Sequence, residues 1–172
     1  MTPSPRPIRV LFVCLGNICR SPAAEGVFLE LLAREGLEQA FRVDSAGTGG
    51  WHVGNRADRR MREAAARRGI DLPSRARQLE ASDLDTFDHI LTMDADNLEA
   101  VRRLAAAHAK SSKHVRPLLH HAERAGVSEV PDPYYGGAEG FEHVLDLLEE
   151  ACRGLLEHLR AAADPGIESQ EA

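Results

Sequence analysis

Ile8 to Val13 is apolar at every position but Arg9 and rich in β-branched residues, a run that predicts a strand buried on both faces. From Pro22 to Arg34 the period changes: Ala24, Val27, Phe28, Leu31 and Leu32 recur at helical intervals, and Gly36 supplies a stop. Phe41 to Ser45 predicts a second strand, Ala57 to Arg68 a polar-faced helix stopped by Gly69, Phe87 to Met93 a third strand, and Asp96 to His108 a further helix. A weaker strand is expected from His114 to Leu118, with Pro117 inside it. The last long helix, Ala138 to Arg160, carries Phe141, Val144, Leu145, Leu148, Ala151, Cys152, Leu155, Leu156 and Leu159 on one stripe, which reads as core packing. Strands alternating with helices predict a three-layer α/β/α fold with a parallel sheet between the helices. Ligands in such folds bind beyond the carboxyl ends of the strands, so the residues after Val13 come first in any search for function.

Composition narrows the picture. A chain of 172 residues fits one domain, expected over residues 8–160, with the proline-rich residues 1–7 and the acidic residues 161–172 as tails. A net charge of −6 argues against a nucleic-acid partner, and no apolar stretch approaches the ~20 residues that span a bilayer. Three cysteines without a signal peptide predict a reducing, cytoplasmic setting. Eight arginines against three acids between Arg56 and Arg77 form a local basic excess, read mostly as a solvated helix face and secondarily as a steering field for anions. The eight histidines show no i, i+4 pair on a common helix face with a third ligand, so neither a metal nor a cofactor is expected.

The candidate chemistry lies directly after the first strand, where Cys14 to Ser21 reads Cys-Leu-Gly-Asn-Ile-Cys-Arg-Ser. Five residues between Cys14 and Arg20 suffice for a tight loop whose N–H groups, from Leu15, Gly16, Asn17, Ile18 and Cys19, converge on one anion. Gly16 permits unusual backbone angles, and Asn17 is among the few other residues that tolerate a left-handed conformation. Pro22 suits the first turn of a helix whose N-terminus faces the loop. That field, with Arg20 beside it, favours the thiolate form of Cys14. Arg20 offers a planar fork for two phosphate oxygens, and Ser21 a hydroxyl for the sulfur. A lone cysteine at a strand end is more often packing than chemistry, but each of Gly16, Asn17, Arg20, Ser21 and Pro22 answers a separate need of anion binding. No Gly-Lys-Ser/Thr follows the glycine, so this is not a nucleoside-triphosphate loop.

The octet, the Pro-Ala-Ala-Glu after it, Asp44-Ser45-Ala46-Gly47-Thr48, Ala76-Arg77-Gln78-Leu79, Met93-Asp94 with Asn97-Leu98, and Asp132-Pro133-Tyr134-Tyr135-Gly136-Gly137 occur in one order over about residues 8–160. In these motifs the chain resembles the low-molecular-weight protein tyrosine phosphatases. The resemblance implies a four-stranded parallel twisted sheet and hydrolysis of phosphotyrosine monoesters through a phosphocysteine intermediate. Cys14 would be the nucleophile, Arg20 the phosphate clamp, and Asp132, bracketed by Pro131 and Pro133, the acid and then the base. It implies a phosphotyrosine-containing protein as substrate, a bacterial-type tyrosine kinase being one candidate, and a monomer or weak dimer.

By the same resemblance Trp51, Tyr134 and Tyr135 wall an aryl slot with His52 at its rim, Asn17 and Ser45 form a loop-fixing pair, and Asp94 supports the acid loop. From the residues alone, Asp94 reads equally as a helix cap. Family members often carry a second cysteine at the position of Cys19, able to form a reversible disulfide with Cys14; a small residue filling the loop is the plainer reading. Many relatives have histidine where this chain has Ser74, a departure that bears on one supporting hydrogen bond and not on the reaction. Arginine phosphatases of similar sequence typically carry threonine at the position of Ile18, and an isoleucine there suits an aromatic ring better than a guanidinium. An inactive phosphate-binding module would require loss of Cys14, Arg20 or Asp132, and all three are present.

Overall fold

The computed structural model describes residues 5–134 and 136–163. Its sheet has four parallel strands, β1 (Ile8–Cys14), β2 (Phe41–Gly47), β3 (His89–Thr92) and β4 (Val115–Pro117), in the order β2-β1-β3-β4. Among the described residues five α-helices accompany them: α1 (Arg20–Arg34), α2 (Arg59–Ala66), the single-turn α3 (Asp83–Thr86), α4 (Ala95–Ala107) and α5 (Ala138–Ala163).

Alternation along β1 assigns the two faces. Val10 and Phe12 point into a core built with α1, α2 and α5, whereas Leu11 and Val13 point into a smaller core with Leu84, Val101 and Ala105. Burial on both sides explains the continuous apolar reading of this strand from Val10 onward. In the larger core Phe12, Phe28 and Phe41 form an edge-to-face series with centroids 5.8 and 5.6 Å apart, each pair adding roughly 1 kcal/mol beyond its buried area. Because β2 and β3 flank β1 on opposite sides, the chain reverses its winding there and opens a crevice at the carboxyl end of β1.

Several boundaries differ from expectation for physical reasons. Helix α1 begins at Arg20 rather than Pro22, which places Pro22 third in the helix, still in the first turn where its missing N–H has no intrahelical use. Gly36 and Gly69 take positive φ after α1 and α2, as helix stops do. Helix α3 was not anticipated; its single turn is too short to show a period. Strand β4 is confined to three residues on the sheet edge and ends at Pro117, a position a proline tolerates. Helix α5 continues to Ala163, so residues 161–163 extend it where a tail was expected.

The basic stretch is largely neutralised. Arg68 contacts Glu142, Asp146 and Glu149 on α5, Arg67 joins Glu142, Arg59 pairs with Glu63, and Arg77 bridges Asp44 and Asp83. The arginines therefore dock α2 and the segment before α3 more than they project a free field.

Helix α5 also meets the segment after β4 at close range: a Cβ added to Gly154 would lie 2.0 Å from the His121 carbonyl oxygen. Neither backbone can yield without moving a core element. Gly154→Ala is expected to lower stability by about 2 kcal/mol despite alanine's better helix propensity, measured by urea unfolding; an unchanged midpoint would show that the close approach relaxes freely.

Candidate active site

The loop after β1 is organised by where its carbonyls go. Thr48 and Gly49, continuing past β2, donate N–H bonds of 2.9 Å to the carbonyls of Cys14 and Leu15; Asp58 N–H bonds the Ile18 carbonyl at 2.7 Å; and Ala23 N–H bonds that of Cys19 at 3.2 Å. With the carbonyls engaged outside, the N–H groups of Leu15, Gly16, Ile18 and Cys19 find no protein acceptor among the described residues. Gly47 permits the close approach of β2, since a Cβ there would meet the Leu15 carbonyl at 2.8 Å.

Asn17 locks this geometry. Its φ is +57°, and its fully engaged side chain maintains that left-handed turn: Nδ2 donates to the hydroxyls of Ser21 at 2.7 Å and Ser45 at 2.9 Å, while Oδ1 accepts the Arg77 N–H at 3.0 Å. The Asn17 N–H points to Cys14 Sγ at 3.3 Å, and Ser21 Oγ lies 3.0 Å from the same sulfur. The expected Asn17 and Ser45 pair is thus present, with Ser21 and Arg77 as further partners.

Arg20, only 3% exposed, donates through Nη1 to Asp94 Oδ2 at 2.6 Å and to the Val130 carbonyl at 3.1 Å. Nη2 stands 3.8 Å from Asp132 Oδ2, too far for a hydrogen bond. Burial opposes the charge on Arg20, but Cys14, Asp94 and Asp132 outweigh it and hold the guanidinium above its ordinary pKa. Asp94 is at once helix cap and support: Oδ1 accepts the Asn97 N–H at 2.8 Å, completing a capping box on α4, while Oδ2 holds Arg20.

These groups surround a cleft of about 340 Å³ lined by Cys14, Leu15, Gly16, Ile18, Cys19, Arg20, Trp51, His52, Asp132 and Tyr134. Trp51 is 73% exposed, and the rings of His52 and Tyr134 lie 6.3 Å apart. Asn17, Ser21, Ser45 and Asp94 act from behind this lining. Tyr135 lies outside the described residues. All three cysteines are unpaired and buried, and burial, reinforced by Asp58, pushes the Cys19 thiol far up, which keeps it protonated. Among the described residues no cluster of His, Cys, Asp and Glu is arranged to hold a metal ion, and no helix is long and apolar enough to cross a membrane.

Sequence reasoning missed Glu25. It sits in the first turns of α1, where every residue from Arg20 to Phe28 is buried, and its own exposure is 4%. Burial lifts its carboxyl from 4.5 to about 7, with hydrogen bonds from Ser74 and Ser45 opposing and Asp44 reinforcing the rise. Small residues all round the turn, Ala23, Ala24 and Gly26, were the available signal.

Comparison with known proteins agrees with this geometry. Residues 9–164 match the family described as low molecular weight phosphotyrosine protein phosphatase. A protein named low molecular weight protein-tyrosine-phosphatase YfkJ, from Bacillus subtilis, is 47% identical over 150 residues, 87% of this chain and 94% of its own. A human low molecular weight phosphotyrosine protein phosphatase is 42% identical over 148 residues, 86% of this chain and 93% of its own. The crystal structure of YfkJ superposes with a TM-score of 0.86 at 43% identity over 92% of this chain and 98% of that one. A Drosophila arginine phosphatase superposes with a TM-score of 0.83 at 32% identity over 88% and 98%. These matches, on the same four-stranded parallel fold, place the chain among the phosphatases. The chain belongs to the low molecular weight protein-tyrosine-phosphatase family.

Glu25 gives the site a pH-dependent foundation. Because its folded-state pKa stands above 4.5, its contribution to stability is complete below pH 4.5 and is lost as pH rises through about 7, a change on the order of 3 kcal/mol. Glu25→Gln should therefore gain on the wild type in unfolding free energy between pH 5 and pH 8. A difference between the two proteins that does not vary with pH would show that Glu25 ionises as it does in water.

Proposed function

We propose that the protein hydrolyses phosphotyrosine in proteins by two in-line transfers at one sulfur. Cys14 Sγ attacks phosphorus while the N–H groups of the loop and Arg20 receive the equatorial oxygens. The bond from phosphorus to the aryl oxygen breaks, and Asp132 delivers its proton to the departing phenolate. A water molecule then attacks the phosphocysteine, Asp132 takes the water's proton, and inorganic phosphate leaves as the thiolate returns. Ser21 Oγ and the Asn17 N–H, both directed at Sγ, stabilise sulfur as an anion in both steps.

The observation that carries this reading is the convergence of Cys14, Arg20 and Asp132 on one cleft although they come from the end of β1, the start of α1 and a loop more than a hundred residues away. Trp51, His52, Tyr134 and Ile18 give that cleft aromatic and apolar walls suited to a flat phosphoaryl group. The competing substrate is phosphoarginine, after the Drosophila neighbour; Ile18 offers no hydroxyl to its polar guanidinium. Three unpaired buried cysteines fit a reducing compartment such as the cytoplasm. A bacterial-type tyrosine kinase is a fitting source of the phosphotyrosine, and a monomer or weak dimer suffices, because one chain supplies the whole constellation.

Peptides carrying phosphotyrosine, phosphoarginine or phosphoserine in one sequence context separate these readings by kcat/KM. Phosphotyrosine should be preferred by at least about 10²-fold over phosphoserine, with all turnover lost in Cys14→Ser. Preference for phosphoarginine would overturn the substrate assignment, and turnover surviving in Cys14→Ser would overturn the mechanism.

A further inference from the structure

Arg60 lies outside the cleft on the second residue of α2, yet it touches the acid loop directly, at Tyr134. Its Nη2 donates to the Tyr134 carbonyl at 2.9 Å, and its guanidinium carbon stands 5.5 Å from the centroid of the Tyr134 ring and 4.8 Å from that of the buried Phe141 ring. The same guanidinium is gripped by Asp58, Nε to Oδ1 at 3.1 Å and Nη2 to Oδ2 at 3.0 Å. Asp58 is in turn fixed twice. Its side chain caps α2 by accepting the Arg60 N–H at 2.8 Å, and its own N–H bonds the Ile18 carbonyl of the phosphate loop at 2.7 Å.

A continuous strut follows. The Ile18 carbonyl holds Asp58, Asp58 holds Arg60, Arg60 holds the Tyr134 carbonyl, and the Tyr134 N–H bonds Asp132 Oδ1 at 3.0 Å. The other end of the acid loop is tied separately, by Val130 N–H to the Met93 carbonyl at 2.8 Å and by Arg20 to the Val130 carbonyl at 3.1 Å. Asp132, between these ties, makes no hydrogen bond to Arg20 and has a side chain 42% exposed. Its height above Cys14 is therefore set by the two anchors, each of which refers back to the phosphate loop, one through the Arg20 side chain and the other, the Arg60 strut, through the Ile18 carbonyl. Bidentate pairing with Asp58 and stacking on two rings require a planar guanidinium, which lysine cannot supply.

We propose that Arg60, braced by Asp58, is a positioning residue that holds Asp132 in register with the phosphate loop for proton transfer to the leaving group. This rests on Asp132 being the general acid. Loss of the strut should then mimic loss of Asp132 only in part, and only where the leaving group needs a proton. Phosphate binding by Arg20 and the loop N–H groups should be untouched.

The test compares kcat/KM for 4-nitrophenyl phosphate, whose leaving group departs readily, with that for phenyl phosphate, whose leaving group departs poorly. The proteins are the wild type, Arg60→Leu, Arg60→Lys, Asp132→Asn and the Arg60→Leu/Asp132→Asn double variant. Arg60→Leu should lose about 10-fold or more with phenyl phosphate and less than about 3-fold with 4-nitrophenyl phosphate, with unchanged inhibition by inorganic phosphate. Arg60→Lys should recover only part of the loss, and the double variant should be no worse than Asp132→Asn alone. Equal losses with both esters for Arg60→Leu, additive losses in the double variant, or weakened phosphate inhibition would overturn the proposal and make Arg60 merely structural. If Asp132→Asn itself loses equally with both esters, the general-acid assignment fails first and the strut fails with it.

Discussion

The site depends on one backbone constraint: the loop from Cys14 to Arg20 turns N–H groups inward while its Cys14, Leu15, Ile18 and Cys19 carbonyls find donors outside it. Asn17 makes this possible by holding φ at +57° and spending both ends of its amide on Ser21, Ser45 and Arg77. A left-handed residue with a side chain is unfavourable in isolation, so the strain persists only because three surrounding segments over-determine it. The outward carbonyls are answered by the continuation of β2, the cap of α2 and the first turn of α1. Three neighbouring elements thus hold one loop in a fixed backbone conformation.

Arg20 shows the same economy in a charged group. Burying a guanidinium is expensive unless it is paired and hydrogen-bonded. Asp94 and the Val130 carbonyl meet that need through a single nitrogen, Nη1, which leaves the rest of the fork facing the cleft. Asp94 joins this pairing to the cap of α4, so the clamp is built into the carboxyl edge of the sheet rather than added to it. Because Arg20 also bonds the Val130 carbonyl, it and the loop that carries Asp132 share one support.

Much of this was legible before the structure. The apolar run at Ile8 to Val13 marked the first strand, and the octet after it marked a tight turn with a left-handed residue at Asn17, because burial on both faces and such a turn each demand specific residue types at specific positions. The parallel α/β sheet followed from the alternation of periods. What escaped notice did so for identifiable reasons. Glu25 sits among residues whose helical period assigns one buried stripe, but the first turns of α1 are enclosed by Ile70 to Leu72 against Gly26, by Cys152 of α5 against Ala24, and by Asp44, Ser45 and Ser74 around Glu25 itself. Arg60 and Asp58 read as part of a solvated, charge-rich helix, since sequence spacing cannot show that one arginine reaches Tyr134 across the fold. Asp94 could be read either as a cap or as a support, and its two oxygens do both.

The central claim is that the reaction passes through phosphorus bonded to Cys14 Sγ. Acid quenching of the enzyme during turnover of a radiolabelled phosphotyrosine peptide, followed by peptide mapping, tests it most directly. The account predicts label on the peptide containing Cys14, chased off as inorganic phosphate when turnover is allowed to finish. Label on another residue, or turnover without any covalent label as soon as the first phenol is released, would contradict it.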